Sequence, residues 1–304
     1  MKEALGAAVR WTRLDALVRF AFARRRVTIA VYHDPSPDVL RTHLAYFARR
    51  YTFISMDAFE RALTTKRWHE LPRYPLVVTI DDGHAGNARL EALLREYGVR
   101  PTIYLCSQIV GTPRPFWWQT AAAATLGAES LKGLTDAQRR ERLRQAGCDP
   151  NDAAGTRQAL TWDEVRTLSS VADFGGHTRH HPILPRCDDD ACADEIAVCK
   201  QELEATLNQP CRHFAYPNGD YGAREIAELK RAGYATGRTI EVGWNGPDAD
   251  PYRLKVMPVY DHASLNWLAA QMTGLPSWLR HIRMKLRPRP AAPAAGARPA
   301  HARA

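Results

Sequence analysis

Two adjacent carboxylates in this sequence are placed where they could do chemistry. Asp81 and Asp82, followed by Gly83, come directly after the apolar run 75–80. Neighbouring carboxylates repel each other and are costly to bury unpaired, so they either face solvent in an ordinary turn or meet a cation. With a cation present, one aspartate would be neutralised and the other would be free to act as a base.

A histidine cluster supplies ligands of the kind that such a cation needs. His177 and His181 lie four residues apart, and from a helical turn or a tight loop they can bind one ion. On spacing alone, His180, three residues after His177, is an equally good candidate for the second histidine ligand. Two histidines and one carboxylate leave coordination positions open for water and a substrate carbonyl oxygen. The joint occurrence of this cluster and the Asp81–Asp82 pair favours a divalent metal site over surface histidines.

The elements that position these residues are predicted to be parallel βα units. Apolar runs alternate with helical patterns, as in a parallel sheet that is covered on both faces. Polar residues follow several of the predicted strands, and in a parallel barrel all strand carboxyl ends open onto one face. The predicted strands are 27–33, 76–81, 101–106, 171–177, 212–217, 234–239 and 253–259, and the predicted helices are 36–50, 57–66, 86–97, 136–145, 161–170, 189–207 and 222–232.

Three segments depart from this rhythm. Residues 107–160 are predicted to be an inserted helical segment, in which Trp117 and Trp118 are candidates for stacking on sugar rings. Residues 3–26 have the pattern of one amphipathic helix, which either packs on its own domain or lies on a membrane interface. The Pro/Ala/Arg-rich residues from about 286 onward are predicted to be disordered.

The motifs together resemble a known family. "TIDDG" (79–83) and "HTRHHP" (177–182) are similar to the Thr-Phe-Asp-Asp-Gly and His-Ser/Thr-x-x-His-Pro signatures of the polysaccharide deacetylases, carbohydrate esterase family 4, which share the NodB homology domain. "FAYPNG" (214–219) resembles the Phe-Ala-Tyr-Pro-Tyr-Gly of a large branch of that family. The resemblance extends over residues 27–260, each motif being weak alone and specific in combination.

The resemblance implies an α/β fold and a set of roles. The expected fold is a deformed (β/α)7-type barrel of parallel strands, in which Asp82, His177 and His181 hold a divalent metal. The metal is most often zinc in this family, with cobalt or manganese as alternatives. Asp81 would be the general base, and the backbone N–H near Asn218 would bind the oxyanion. Tyr216 and Pro217 of the same motif are expected at the substrate, with the two tryptophans.

Two departures from the family pattern bear on the mechanism. The third motif usually carries an arginine that steadies the catalytic aspartate, but Ala215 stands at that position, so this support is either missing or supplied by Arg179 or Arg212. The last motif, Leu-x-His, normally supplies the general acid, and His262 is not a convincing match. "VYH" (31–33) resembles the Tyr-His start of a branch that includes exopolysaccharide deacetylases acting on poly-N-acetylglucosamine. The barrel would then be circularly permuted, with His33 as general acid.

The predicted function is metal-dependent removal of N-acetyl or O-acetyl groups from a carbohydrate, an N-acetylhexosamine-containing glycan or its precursor. The enzyme class is hydrolysis of carbon–nitrogen bonds in non-peptide amides. The alternative from another class is a catalytically impaired carbohydrate-binding relic of the same fold. Phosphoryl transfer with Asp81 as nucleophile is disfavoured, because that chemistry usually needs a second carboxylate at position 83, which is glycine.

Composition and charge limit the partners. The chain has 304 residues, 45% of them hydrophobic and 25% charged, as in soluble globular proteins. Positive charge is concentrated in the ends: residues 1–26 carry seven Lys or Arg against two acidic residues, and residues 262–304 carry seven and none. Basic ends without a basic folded face argue against nucleic acid and leave an anionic membrane surface as a possible contact. No secretory signal pattern is visible, so the expected location is cytoplasmic, with peripheral membrane contact as an option.

The predicted domain organisation follows from these segments. Residues 1–26 form the N-terminal helix, residues 27–265 the catalytic domain with its insertion, and residues 266–304 a basic C-terminal extension.

Overall fold

The computed structural model describes residues 2–148 and 157–286, with side chains up to residue 280. Within these residues the chain forms eight strands and thirteen α-helices. The strands are β1 (Thr28–Tyr32), β2 (Thr52–Phe53), β3 (Pro75–Ile80), β4 (Thr102–Leu105), β5 (Asp173–Gly176), β6 (His213–Ala215), β7 (Thr236–Val242) and β8 (Leu254–Pro258).

Helices follow most of the strands, as the sequence pattern predicts. They are α1 (Lys2–Trp11), α2 (Leu14–Val18), α3 (Pro37–Ala48), α4 (Met56–Thr64), α5 (Glu91–Tyr97), α6 (Ala121–Leu126), α7 (Ala128–Leu131), α8 (Asp136–Gln145), α9 (Trp162–Leu168), α10 (Asp189–Leu207), α11 (Ala223–Arg231), α12 (Leu265–Gln271) and α13 (Leu275–Leu286). None of the described helices is both long enough and apolar enough to cross a membrane.

The strands close into a parallel barrel. Seven of them follow the order β1-β8-β7-β6-β5-β4-β3, and β3 pairs again with β1 over five residues, from Thr28↔Leu76 to Tyr32↔Ile80. All the strand pairs are parallel. The α/β class and the seven-stranded barrel predicted from the sequence are therefore confirmed. The short strand β2, which pairs with the start of β3, was not predicted because two residues carry no alternation to detect.

Helix α4 closes the amino-terminal end of the barrel. Its Met56 and Phe59 are buried in one cluster with apolar residues of β1, β3 and β8. At the start of the same helix, the Asp57 carboxylate accepts a 2.7 Å hydrogen bond from His213 Nε2, on the first residue of β6. One helix thus contacts strands around the barrel, which leaves the opposite, carboxyl-terminal end for the functional site.

The N-terminal segment packs on the barrel's own helices. It is not one helix over 3–26, as the sequence predicted, because Arg13 adopts a left-handed conformation (φ 55°) that separates α1 from α2, and a π-helical turn, Arg19–Ala23, follows. A Cβ on Gly6 would lie 2.4 Å from the Asn266 carbonyl oxygen, so only glycine allows α1 to approach α12 this closely. Val9 is buried against Trp267 in the same contact.

The predicted insertion between β4 and β5 is confirmed as helical, with α6, α7 and α8 in it. Part of it, residues 149–156, and the tail from 287 that was predicted to be disordered lie outside the described residues. The domain boundaries at 26 and 265 stay predictions.

Candidate active site

The loop after β3 presents the two aspartates at the carboxyl end of the barrel. Asp82 and Gly83 both have positive φ, 73° and 75°, which turns the chain sharply. A Cβ on Gly83 would lie 2.7 Å from the Leu105 side chain, so glycine is required both by the conformation and by the space. The Gly83 carbonyl accepts a 2.9 Å hydrogen bond from the Leu160 N–H, which ties this loop to the end of the insertion.

The histidine loop after β5 is bent by side-chain hydrogen bonds. Thr178 has a φ of 66°, and its hydroxyl accepts the His181 N–H at 3.0 Å, closing a turn that brings His177 and His181 together. Glu195 accepts the backbone N–H of His180 at 2.9 Å and contacts its ring Nδ1 at 2.7 Å. The His180 ring is therefore held away from the two other histidines.

Asp82, His177 and His181 form a group that could hold a metal ion. Asp82 Oδ1 lies 3.3 Å from His177 Nε2 and 3.4 Å from His181 Nε2, and the three ligand atoms lie within 4.8 Å of one another. Two ligands about 2.0–2.1 Å from one ion at a tetrahedral angle are about 3.3–3.4 Å apart. Asp82 Oδ1 is buried and has no hydrogen-bond partner among the described residues, as expected of an atom whose partner is an ion.

Hydrogen bonding and burial prepare the ring nitrogens of His177 and His181 to bind a metal. His177 Nδ1 donates to the Ala215 carbonyl at 2.7 Å, so Nε2 is the ring nitrogen left to face Asp82 and a metal position. Burial and the neighbouring His177 lower the pKa of His181 to about 3, so this imidazole is neutral at physiological pH. Burial alone would raise the pKa of Asp82, but the surrounding imidazoles outweigh it and hold that pKa well below its usual range. An ionised Asp82 carboxylate therefore faces a neutral His181 imidazole.

His84 orients the carboxylate of Asp82. Its Nε2 donates to Asp82 Oδ2 at 3.0 Å, which leaves Oδ1 for the metal position. The His84 side chain is buried against Phe116, with ring centroids 4.6 Å apart. This contact could not be assigned from the sequence, because no local pattern indicates which group a histidine in this turn meets.

Asp81 is held by a buried arginine from another strand. Arg238, in β7, is fully buried, and its guanidinium donates to Asp81 Oδ2. Asp81 Oδ1 is buried and has no hydrogen-bond partner among the described residues. One oxygen of this carboxylate is thus fixed and the other is available to accept a proton.

Arg238 corrects the expectation that Arg179 or Arg212 supports Asp81. Arg179 pairs with Glu202 at 2.9 Å, and Arg212 pairs with Glu60 at 2.8 Å. Arg238 is the direct register partner of Ala215, the position at which the family motif carries its arginine. The arginine that holds Asp81 therefore lies on β7, one strand away from the motif position on β6. Its sequence signal was a charged residue in the middle of a strand, between Thr236 and Ile240, where burial requires a partner.

His33 stands at the rim of the site. Its Nε2 lies 4.0 Å from Asp81 Oδ2, and its side chain is 53% exposed. Asp261 accepts the backbone N–H groups of His33 and Asp34 at 3.0 and 2.9 Å, and Asn87 donates to the His33 carbonyl at 3.0 Å. The backbone of this exposed histidine is therefore held in place. His262 is exposed and stacks on Tyr260, next to the site-facing Asp261 but outside the site.

The "FAYPNG" loop after β6 splits into buried and accessible parts. Asn218 has a φ of 57°, and within the described residues its backbone N–H donates to no acceptor. Tyr216 is 1% exposed and donates its hydroxyl to the Tyr252 carbonyl, and Pro217 is buried as well. Both side chains form part of the core beneath the loop, and contact of Tyr216 and Pro217 with substrate stays a prediction.

The two tryptophans of the insertion pack on the histidine loop. Trp117 Nε1 donates to the His181 carbonyl at 3.0 Å, and the Trp118 ring packs at a tilt against the His181 ring with centroids 4.2 Å apart. Both are half-buried. The structure therefore brings them beside the metal position, and their contact with a sugar stays a prediction.

Comparisons with known proteins agree with this geometry. The sequence model of the family described as polysaccharide deacetylase matches residues 69–237, more than half of the chain. No curated protein matches the chain at a significant level.

Solved structures of low sequence identity share the fold. The Streptococcus pyogenes deacetylase PplD in complex with acetate is 20% identical, with a TM-score of 0.60 over 81% of this chain and 98% of that one. IcaB from Ammonifex degensii is 16% identical, with a TM-score of 0.59 over 82% and 97%. A de-N-acetylase from Aggregatibacter actinomycetemcomitans is 13% identical, with a TM-score of 0.58 over 81% and 99%. With the matched family model and the motifs assembled at one end of the barrel, the chain belongs to the polysaccharide deacetylase family, and it is an enzyme of that class.

Proposed function

We propose that this enzyme removes N-acetyl groups from a carbohydrate in a metal-dependent reaction. The observation that carries the proposal is the placement of Asp81, with one fixed and one free oxygen, directly beside the Asp82–His177–His181 group. A base next to a candidate metal position is the arrangement that hydrolysis by an activated water requires.

The residues of the chain have separable roles in this proposal. Asp82, His177 and His181 would hold a divalent cation, most often zinc for such ligands, which when bound lowers the pKa of water and polarises the acetyl carbonyl. Asp81 Oδ1 takes the proton of the attacking water, while Arg238 keeps the carboxylate oriented. The Asn218 N–H, which has no acceptor within the described residues, donates to the oxyanion that develops on the acetyl carbonyl.

His33 is assigned the general acid. An amide nitrogen leaves only after protonation, so N-deacetylation needs a proton donor on the side of the leaving group. His33 lies 4.0 Å from Asp81, on the solvent side of the site, where a sugar amine would depart. This position favours an N-acetylhexosamine unit as the substrate.

The missing arginine at position 215 favours the alternative of a non-catalytic relic. Arg238 argues against that alternative, because it holds the Asp81 carboxylate in place of the missing arginine.

The metal is tested first, since this needs no choice of substrate. We expect about one divalent ion per chain by elemental mass spectrometry of the purified protein, lost in His181→Ala. His180→Ala is the matched control, because this adjacent histidine contacts Glu195 and Arg114 instead. A wild type that stays metal-free after incubation with zinc, cobalt and manganese, or equal losses in both variants, would contradict the proposed ligand set.

Turnover is tested with acetylated amino-sugar oligomers. Asp81→Asn is expected to keep the metal and to lose acetate release by ~10²–10⁴-fold, the usual contribution of a general base. O-acetylated sugars assayed in parallel separate amide from ester preference. Retention of full activity in Asp81→Asn would exclude Asp81 as the base.

A further inference from the structure

We propose a second binding site, at the amino-terminal end of the barrel, for the anionic phosphate headgroup of a lipid surface. It is a cavity of about 610 Å³ between the residues that precede β1 and β3 and the turn after α4. Four cationic side chains and one histidine line it together with Trp68, namely Arg24, Arg25, Lys66, Arg73 and His69.

The charge of this cavity is uncompensated. No acidic residue lines it, and none of its four Lys and Arg side chains forms an ion pair with another described residue, whereas the neighbouring Arg67 pairs with Glu70. Like charges around one concavity repel each other and raise the local potential, and an anion relieves both effects. Guanidinium groups suit phosphate oxygens, to which they donate in pairs.

The walls of the cavity are held in place. Trp68 Nε1 donates to the Arg25 carbonyl at 3.0 Å, and the Tyr74 N–H donates to the Arg24 carbonyl at 3.1 Å. These two contacts connect the segment before β1 to the turn after α4 and to the start of β3. The concavity is therefore formed by the fold rather than by chance proximity of surface lysines and arginines.

Exposed apolar side chains in the segment that leads into the cavity at Arg24 favour a lipid surface over a free phosphate compound. Leu17 is 63% exposed, Phe20 is 56% exposed and Phe22 is 45% exposed. The Arg24 guanidinium lies 5.2 Å from the centre of the Phe20 ring, so the apolar and cationic groups adjoin. Stable attachment to a bilayer takes two signals, and apolar insertion beside a basic patch supplies both.

The site lies opposite the catalytic face. The cavity is at the end where β1 and β3 begin, and Asp81 follows the end of β3. A chain bound to a membrane in this way turns its catalytic face to the aqueous side, so substrate reaches it from solution.

The test uses the full chain and vesicles. We expect binding to phosphatidylglycerol-containing vesicles at low salt, little binding to phosphatidylcholine alone, and weakening with salt as exposed charges are screened. The double variant Arg25→Glu/Lys66→Glu should lower the partition coefficient at least about tenfold, since each basic residue at an anionic surface contributes severalfold. Arg142→Glu/Arg231→Glu changes the net charge equally, away from the cavity, and should stay within about twofold of wild type.

Two further arms distinguish the phosphate sources. Leu17→Ser/Phe20→Ser should also lose vesicle binding, with an unchanged melting temperature as the check on folding. Inorganic phosphate and pyrophosphate, titrated calorimetrically, should bind far more weakly than the vesicles. Equal losses in both charge-reversal variants would overturn the site. Tight binding of soluble phosphate with no effect of the apolar variant would overturn the lipid assignment.

Discussion

Replacing Arg238 by methionine removes the cation from a fully buried ion pair and leaves the Asp81 carboxylate without its partner. The two side chains are 0% and 6% exposed, so water does not screen the loss. Breaking a buried pair by removing one partner typically costs ~3–5 kcal/mol of unfolding free energy, because the remaining charge is uncompensated. We expect Arg238→Met to lose about this amount in urea unfolding.

Activity should fall as well, because Asp81 loses the contact that orients it. A well-placed general base accelerates such a reaction ~10²–10⁴-fold, and a misplaced base loses much of this acceleration. We therefore expect kcat on an N-acetylated sugar to drop by about two orders of magnitude or more. The drop should appear in kcat rather than in KM, since Arg238 is buried beneath the site and does not reach the substrate.

Arg179→Met is the matched control. Arg179 belongs to the histidine loop, and its pair with Glu202 is partly exposed, at 27% and 25%. Such a pair contributes ~1 kcal/mol, so this variant should stay close to wild type in both assays.

A swap across the strand pair sharpens the test. Because Ala215 is the register partner of Arg238, Ala215→Arg/Arg238→Ala returns the guanidinium to the neighbouring strand. A favourable coupling of ~1–3 kcal/mol, about 5- to 150-fold in kcat over Arg238→Ala alone, is expected if the two positions are equivalent. An Arg238→Met protein with wild-type kcat and stability would refute the reasoning outright.

Three further predictions concern the histidines of the site. His84→Phe should weaken metal binding ~10–100-fold, as the loss of a hydrogen bond to a ligand does, measured by chelator competition, and unchanged affinity would show that Asp82 needs no orientation. Burial lowers the pKa of His181 to about 3, so between pH ~6.5 and about 3 the unfolded chain binds a proton that the metal-free folded chain excludes. Metal-free stability in urea should therefore fall as the pH drops through this window, less steeply in His181→Asn, and parallel slopes would contradict the burial. His33→Ala should slow N-deacetylation ~10²–10⁴-fold but hardly affect an aryl acetate, whose leaving group needs no proton, and equal losses would exclude the acid role.

The sequence by itself determined the strands and the two motif loops. Strands β1, β3 and β4 are buried at every position and largely apolar, which makes them visible without any knowledge of their neighbours. The Asp82–Gly83 turn is equally local, since its positive φ angles and the absence of a side chain at Gly83 are properties of adjacent residues. For that reason the motif spacing predicted which residues meet at one end of the barrel.

What the sequence could not determine are the contacts between residues far apart in the chain. Arg238 meets Asp81 across 157 positions, and its relation to Ala215 exists only because β6 and β7 pair in one register. The burial of Tyr216 depends likewise on what packs around the loop, not on the motif that carries it.

The cavity at the amino-terminal end shows the same limit. Arg24, Lys66 and Arg73 belong to separate segments of the sequence, and each reads as an ordinary solvated charge. Barrel closure brings the starts of β1 and β3 together and places the turn after α4 beside them. The local sequence determines backbone conformation and the pattern of burial. The electrostatic potential in the cavity is instead the sum of contributions from charged groups that only the tertiary structure brings together.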